Sequence, residues 1–245
     1  MANWSDPRIG AAPPAAATVG TRDVAFDAGL RSYMLSVYNY MASGVLLTGI
    51  VAIGFAMSGL AAQVFYSGSI LAWVIIFAPL LMVFALNFGA NRMSTGATQA
   101  FFWAFAAVMG LSMSVIPLIY SGTSIAATFF ATAAAFASLS LWGYTTKKDL
   151  SGFGTFLLMG VVGLIIAMIA NIFIRSDALS MVISFIGVLL FAGLTAYDTQ
   201  KIKEIYAHVA GTEMMGKVAI LGALNLYLDF INMFQFLLQF LGSRD

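Results

Sequence analysis

Seven long apolar stretches decide what this chain can fold into. They cover residues 37–57, 70–88, 97–117, 125–144, 153–173, 178–197 and 218–240. Each is about 20 residues long, the length a helix rising about 1.5 Å per residue needs to cross a hydrocarbon core of about 30 Å. No Lys, Arg, Asp or Glu lies inside the first five. In lipid every backbone N–H and C=O must be paired within the protein, so stretches of this kind form helices. A transmembrane barrel would instead show alternating segments of about ten residues, and none occur. The expected fold is an all-α integral membrane protein with seven transmembrane helices.

The composition agrees. Hydrophobic residues make up 61% of the 245 and charged residues 9%, against about 25% charged in an ordinary soluble domain. That leaves too little polar surface to cover a water-soluble core, and it excludes a disordered chain. The 11 Lys+Arg against 10 Asp+Glu provide no basic field for a phosphate backbone, so nucleic acid is not an expected partner. The absence of cysteine removes disulfides, thiolate nucleophiles and cysteine zinc sites, and a lone histidine removes two-histidine metalloprotease chemistry. The expected partner is the lipid bilayer, with no resident cofactor and no enzymatic activity.

Residues 1–32 differ from the rest. They hold six of the 21 charges and three of the five prolines, Pro7, Pro13 and Pro14. This Ala/Pro-rich segment reads as a flexible cytoplasmic tail before a membrane domain at 33–245. It lacks a basic region followed by an apolar one, so the first span is expected to serve as the insertion signal. The connections at 118–124 and 174–177 are short, and the longest link is expected at 198–217. With the N-terminus in the cytoplasm, nine basic residues fall inside (Arg8, Arg22, Arg31, Arg92, Lys147, Lys148, Lys201, Lys203, Lys217) and two outside (Arg175, Arg244). That orientation obeys the positive-inside rule. A compact bacterial inner-membrane protein is the expected setting. Seven crossings leave the C-terminus outside; a re-entrant last stretch would return it to the cytoplasm. For close helix packing, Ala127, Ala131 and Ala135 offer a flat face, and Gly160 and Gly163 a similar one.

Two carboxylates break the apolar pattern. Asp198 closes the sixth stretch, and Asp229 lies well within the seventh. An acidic group at the centre of a bilayer helix costs roughly 2.5–3.5 kcal/mol, which makes such a residue a functional candidate by default. Asn225, Asp229, Asn232, Gln235 and Gln239 share an arc of about 120° on a helix turning about 100° per residue. That polar face either lines a cavity or forms an interhelical hydrogen-bond stripe. Asp198 is either solvated or paired with Lys201 or Lys203. Arg92, after the second stretch, reads as a positive-inside anchor. Asp229 lies 11 residues past Val218, about 16 Å along a helix, so the two aspartates meet only if a span tilts or the Asp198 region dips inward. His208 falls in the polar link. Pro117 ends the third stretch, and Pro79 should kink the second.

Three segments then carry a family resemblance: 132–154, containing Ser140-Leu-Trp-Gly-Tyr-Thr-Thr-Lys-Lys-Asp149; 191–203, containing Ala196-Tyr-Asp-Thr-Gln-Lys201; and 223–232, containing Asn225-Leu-Tyr-Leu-Asp229. Together they resemble the Bax inhibitor-1 family, also called the transmembrane Bax inhibitor motif family, over about residues 33–241. The resemblance implies a seven-helix bundle with the C-terminal helix at its centre. It also implies a pH-sensitive calcium leak gated by a proton-sharing pair, which here falls on Asp198 and Asp229. An arginine latch falls by position on Arg92. Asn225, Asn232, Gln235 and Gln239 become the polar pore-lining face. Two carboxylates in a poorly solvated site cannot both ionise easily, so they titrate as a unit. Their oxygens also suit Ca²⁺, a hard cation, in weak and transient contact. Some bacterial relatives resemble modulators of a membrane-bound ATP-dependent protease, and animal relatives resemble regulators of cell death. A non-conducting partner protein is therefore the alternative. An intramembrane aspartyl protease is disfavoured because its Gly-x-Gly-Asp motif is absent. A retinal pump would need a lysine in the last span, and a serine rhomboid a histidine inside the membrane.

Overall fold

The computed structural model describes residues 15–89 and 92–243. The described residues form nine helices: α1 (Ala15–Met57), α2 (Leu60–Tyr66), α3 (Ile70–Gly89), α4 (Thr95–Met113), α5 (Ile116–Ile119), α6 (Gly122–Thr145), α7 (Ser151–Ile174), α8 (Asp177–Val209) and α9 (Met214–Leu241). Six segments are long and apolar enough to cross a membrane: Phe26–Met57, Thr95–Ile119, Gly122–Thr145, Ser151–Ile174, Asp177–Val209 and Met214–Leu241. A further pair, Leu60–Tyr66 with Ile70–Leu86, passes the same test together and is bent by 100°. Pro79 sits inside α3 without ending it. Pro117 occupies the first turn of α5, where its missing N–H is needed least, so the third span runs on to Ile119.

The helices overrun the apolar stretches at two places. The link expected at 198–217 is mostly helix: α8 continues through Val209, and only residues 210–213 connect it to α9. Hydropathy falls after Tyr197, but helical periodicity does not. Ile202 and Tyr206 are buried four residues apart, while Lys201, Glu204 and His208 face outward. His208 is therefore an exposed last-turn residue, with Nδ1 3.3 Å from the Glu204 carbonyl. Gly211 (φ 74°) takes the left-handed conformation that the reversal requires. The second overrun is at the start of the chain. The tail expected at 1–32 is helical from Ala15, and residues 1–14 lie outside the described residues. The Phe26 ring packs 5.1 Å from that of Tyr206, and Leu30 and Tyr33 are buried, so the domain boundary expected at residue 33 falls inside a packed helix.

Burial is unequal. Of the most apolar part of α9, 56% is buried, against 11% for α7. α9 packs on α8, α1, α6 and α4. Leu226, Tyr227, Met233 and Leu238 are almost wholly covered there. By contrast Phe156, Ile166 and Phe173 of α7 point outward.

Backbones approach closely where side chains are small. A methyl group at Gly143 would strike the Ala196 backbone across the α6–α8 contact, and one at Gly110 the Thr48 carbonyl and the Val51 side chain. The packed face of α6 is not the alanine face expected from spacing. Ala127 and Ala131 are exposed, and the buried stripe is Thr128, Thr132, Phe136, Ser140 and Gly143. Thr132 hides its polarity by donating to the Thr128 carbonyl at 2.8 Å, so threonine packs there as a small residue. Gly160 meets Leu190, whereas Gly163 faces open space. Gly143→Ala is expected to lower the unfolding midpoint in detergent, with a cost of about 1–3 kcal/mol from overpacking. Gly163→Ala should leave it unchanged or raise it slightly; thermal scans of the two purified variants check the contrast.

Candidate functional site

The α8–α9 hairpin settles the depth of the two aspartates. Asp198 lies 11 residues before Val209, the end of α8, and Asp229 lies 15 residues after Met214, the start of α9. Counted from the connecting turn, these are heights of about 16 and 22 Å, a difference of about one helical turn. The two carboxyl groups are neighbours across the α8–α9 contact, each acting on the other. Asp229 is only 4% exposed, and its Oδ2 has no hydrogen-bond partner. Two carboxyl groups placed side by side in a poorly solvated site cannot both ionise easily.

The face of α8 around Asp198 is held by a directed hydrogen-bond chain. Thr199 Oγ1 donates to the Thr195 carbonyl at 2.7 Å, which leaves it an acceptor for Ser140 Oγ at 2.9 Å. Ser140, its proton committed, accepts from Tyr38 at 2.6 Å. Three helices (α1, α6 and α8) are thus tied together one residue from Asp198. Gln200 uses both ends of its amide on the loop between α6 and α7. Its Oε1 accepts from the Leu150 N–H and its Nε2 donates to the Lys148 carbonyl, each at 2.8 Å. In that loop Asp149 accepts from Ser151, which holds its carboxyl below the ordinary carboxylate value. Lys203 Nζ donates to the Tyr144 carbonyl at 2.8 Å and lies 5.0 Å from the Tyr144 ring centre. Two residues before Asp229, the Tyr227 hydroxyl donates to Thr48 (2.6 Å), which donates to the Ala106 carbonyl (2.9 Å), fixing α9 to α1 and α4.

The remaining candidate residues are scattered. Arg92 is exposed in a short turn after α3. Lys201, three residues on, is the basic group acting on Asp198. Lys203 is committed to Tyr144, as described above. The polar face of α9 divides into separate parts. Asn225 and Gln239 are exposed, and Asn232 and Gln235 are half-buried. Asn232 donates to the Leu228 carbonyl of its own helix at 2.8 Å. Gln239 clamps α8, accepting from Ser184 at 2.8 Å and donating to Ser180 at 3.0 Å. Among the described residues, no three His, Cys, Asp or Glu side chains gather into a metal cluster. A cation at the pair would meet two carboxyl groups and little else, which permits only weak coordination.

Reading apolar stretches missed Tyr38, Ser140, Thr199 and Gln200. A signal for the last two was present: the run Tyr197-Asp198-Thr199-Gln200 is followed by Ile202 and Tyr206 at helical spacing, so the polar residues lie within a helix and not in a loop.

The family model described as "Inhibitor of apoptosis-promoting Bax1" matches residues 30–245. The chain belongs to the Bax inhibitor-1 family. An inner membrane protein of Escherichia coli, YbhL, is 42% identical over 89% of this chain and 94% of its own length. Proteins of Rickettsia prowazekii (45% identical, 93% of this chain, 96% of the relative) and Caulobacter vibrioides (46%, 91% and 92%) are similarly close. This Bax inhibitor-1 protein is a multi-span membrane protein. The family match begins at Leu30, a buried residue of α1.

Gln200→Ala would leave the Leu150 N–H and Lys148 carbonyl without their side-chain partner. The expected cost is about 1–3 kcal/mol, seen as faster amide hydrogen exchange at Leu150 with little change at Tyr227.

Proposed function

We propose that this protein is a pH-sensitive, calcium-permeable leak channel whose gate is the Asp198–Asp229 pair. The observation that carries the reading is the placing of the two carboxyl groups side by side across the α8–α9 contact, with Asp229 4% exposed and its Oδ2 unpaired. A proton shared by the pair is the switching ligand. Its loss leaves two like charges in contact, and their repulsion favours separation of α8 from α9. The separated oxygens suit a hard divalent cation but are too few to retain it, which favours passage over storage. Asn232 and Gln235, half-buried along the same face of α9, continue the polar path, while Gln239 is engaged by α8. In this reading the α2–α3 pair completes a seventh crossing around a central α9. The N-terminus is cytoplasmic, the setting is a bacterial inner membrane, and no covalent chemistry is performed. The name of the Escherichia coli relative supports the location.

A second reading is a non-conducting modulator of a membrane-bound protease, with the segment before residue 30, outside the family match, as the docking arm. Its deletion would abolish partner capture without altering flux.

Calcium-dye flux into proteoliposomes tests the channel. Wild-type flux is expected to change with pH, and Asp229→Asn, which cannot share a titrating proton in the same way, should flatten that profile. Asp198→Asn should do the same. Unchanged profiles in both variants, with normal incorporation, overturn the gate.

A further inference from the structure

A lateral groove of about 550 Å³ runs between α1 and α6, away from the aspartate pair. Its walls are Met34, Phe136, Leu141 and the ring of Tyr38, with Arg31 and Tyr144 also lining it. The middle offers no unsatisfied polar group, because the Tyr38 and Ser140 hydroxyls are committed to each other and to Thr199. The charge collects at one end. Arg31 is exposed there, and Lys203 lies over the Tyr144 ring. Lys147 and Lys148 follow Tyr144 within one turn of chain. Neither Asp nor Glu lines the groove.

We propose that this groove binds one anionic phospholipid, with an acyl chain between α1 and α6 and the headgroup phosphate on Arg31. Three features select that occupant. The groove is long-walled and apolar, as an acyl chain requires. It ends at a guanidinium, whose fork matches phosphate oxygens. Two turns of a protein helix about 10 Å across would need about 800 Å³, more than the groove holds. Basic pockets between membrane helices at the headgroup level are suited to anionic lipids. The site stands apart from the channel reading and does not depend on it.

The test uses the full chain, purified and delipidated in detergent. Phosphatidylglycerol and phosphatidylcholine with identical chains are added separately. Thermal unfolding and native mass spectrometry then report stabilisation and retained lipid. Wild type should retain one phosphatidylglycerol and be stabilised more by it than by phosphatidylcholine. Arg31→Gln should weaken phosphatidylglycerol about fivefold, to the phosphatidylcholine level, with Arg31→Lys between. Ala137→Phe, at an outward-facing alanine of the groove, should block both lipids; its lipid-free unfolding midpoint reports that it is folded. Equal stabilisation of wild type by the two lipids, or an unaltered preference in Arg31→Gln, overturns the proposal. Equal stabilisation by water-soluble glycerol phosphate does so too, by reducing the site to an anion contact.

Discussion

The contact between α8 and α9 is the constraint on which the rest of this protein depends. A carboxyl group in a helix surrounded by Leu, Phe and Ile persists only if it finds a polar partner, because hydrocarbon supplies none. Asp229 finds it in Asp198, and that requires the two helices to run antiparallel with their heights matched to about one turn. The matching comes from the extra helix between Asp198 and Val209. Had the chain turned at Tyr197, where the apolar stretch ends, Asp198 would sit at the membrane surface and Asp229 would be stranded in the core.

The surrounding structure holds that hairpin by pairing polar groups without exposing them. Thr199, Ser140 and Tyr38 pass donors in one direction, and Thr48 does the same between Tyr227 and Ala106. Hydrophobic burial distinguishes poorly between helix–helix and helix–lipid contact, so such bonds and close backbone approach carry the specificity of packing. Gly143 against Ala196 and Gly110 against Thr48 mark where backbones meet. The helices with least to contribute, α7 above all, remain at the periphery.

The aspartate pair and the groove beside α1 lie on the two sides of one hydrogen-bond chain. Tyr38 lines the groove, and Thr199 adjoins Asp198. The same four hydroxyl and carbonyl groups thus stand between the aspartate pair and the groove. An all-apolar wall would serve the groove equally well, and its polarity is explained by the helix it steadies.

The sequence by itself determined the membrane class, the helical architecture, the approximate spans, the family, and the two aspartates as the candidate site. The family is carried by the three motif segments; the rest follow from composition, length or the rarity of charge, which lipid reads residue by residue. Only the tertiary structure decided where the helices end, because hydropathy stops at Tyr197 while the buried Ile202–Tyr206 stripe carries α8 onward. It also decided which small residues pack: Thr128 and Thr132 lie inside and Ala127 and Ala131 outside, a choice of neighbours that spacing alone does not make. The polar face of α9 was legible as a stripe, but its division into a carboxyl contact, a helix clamp and exposed amides was not. Arg92 was legible as a charge at a helix end, and it is exposed in the turn after α3. A side chain's type is local information, whereas its partner is set by which helix the fold brings against it.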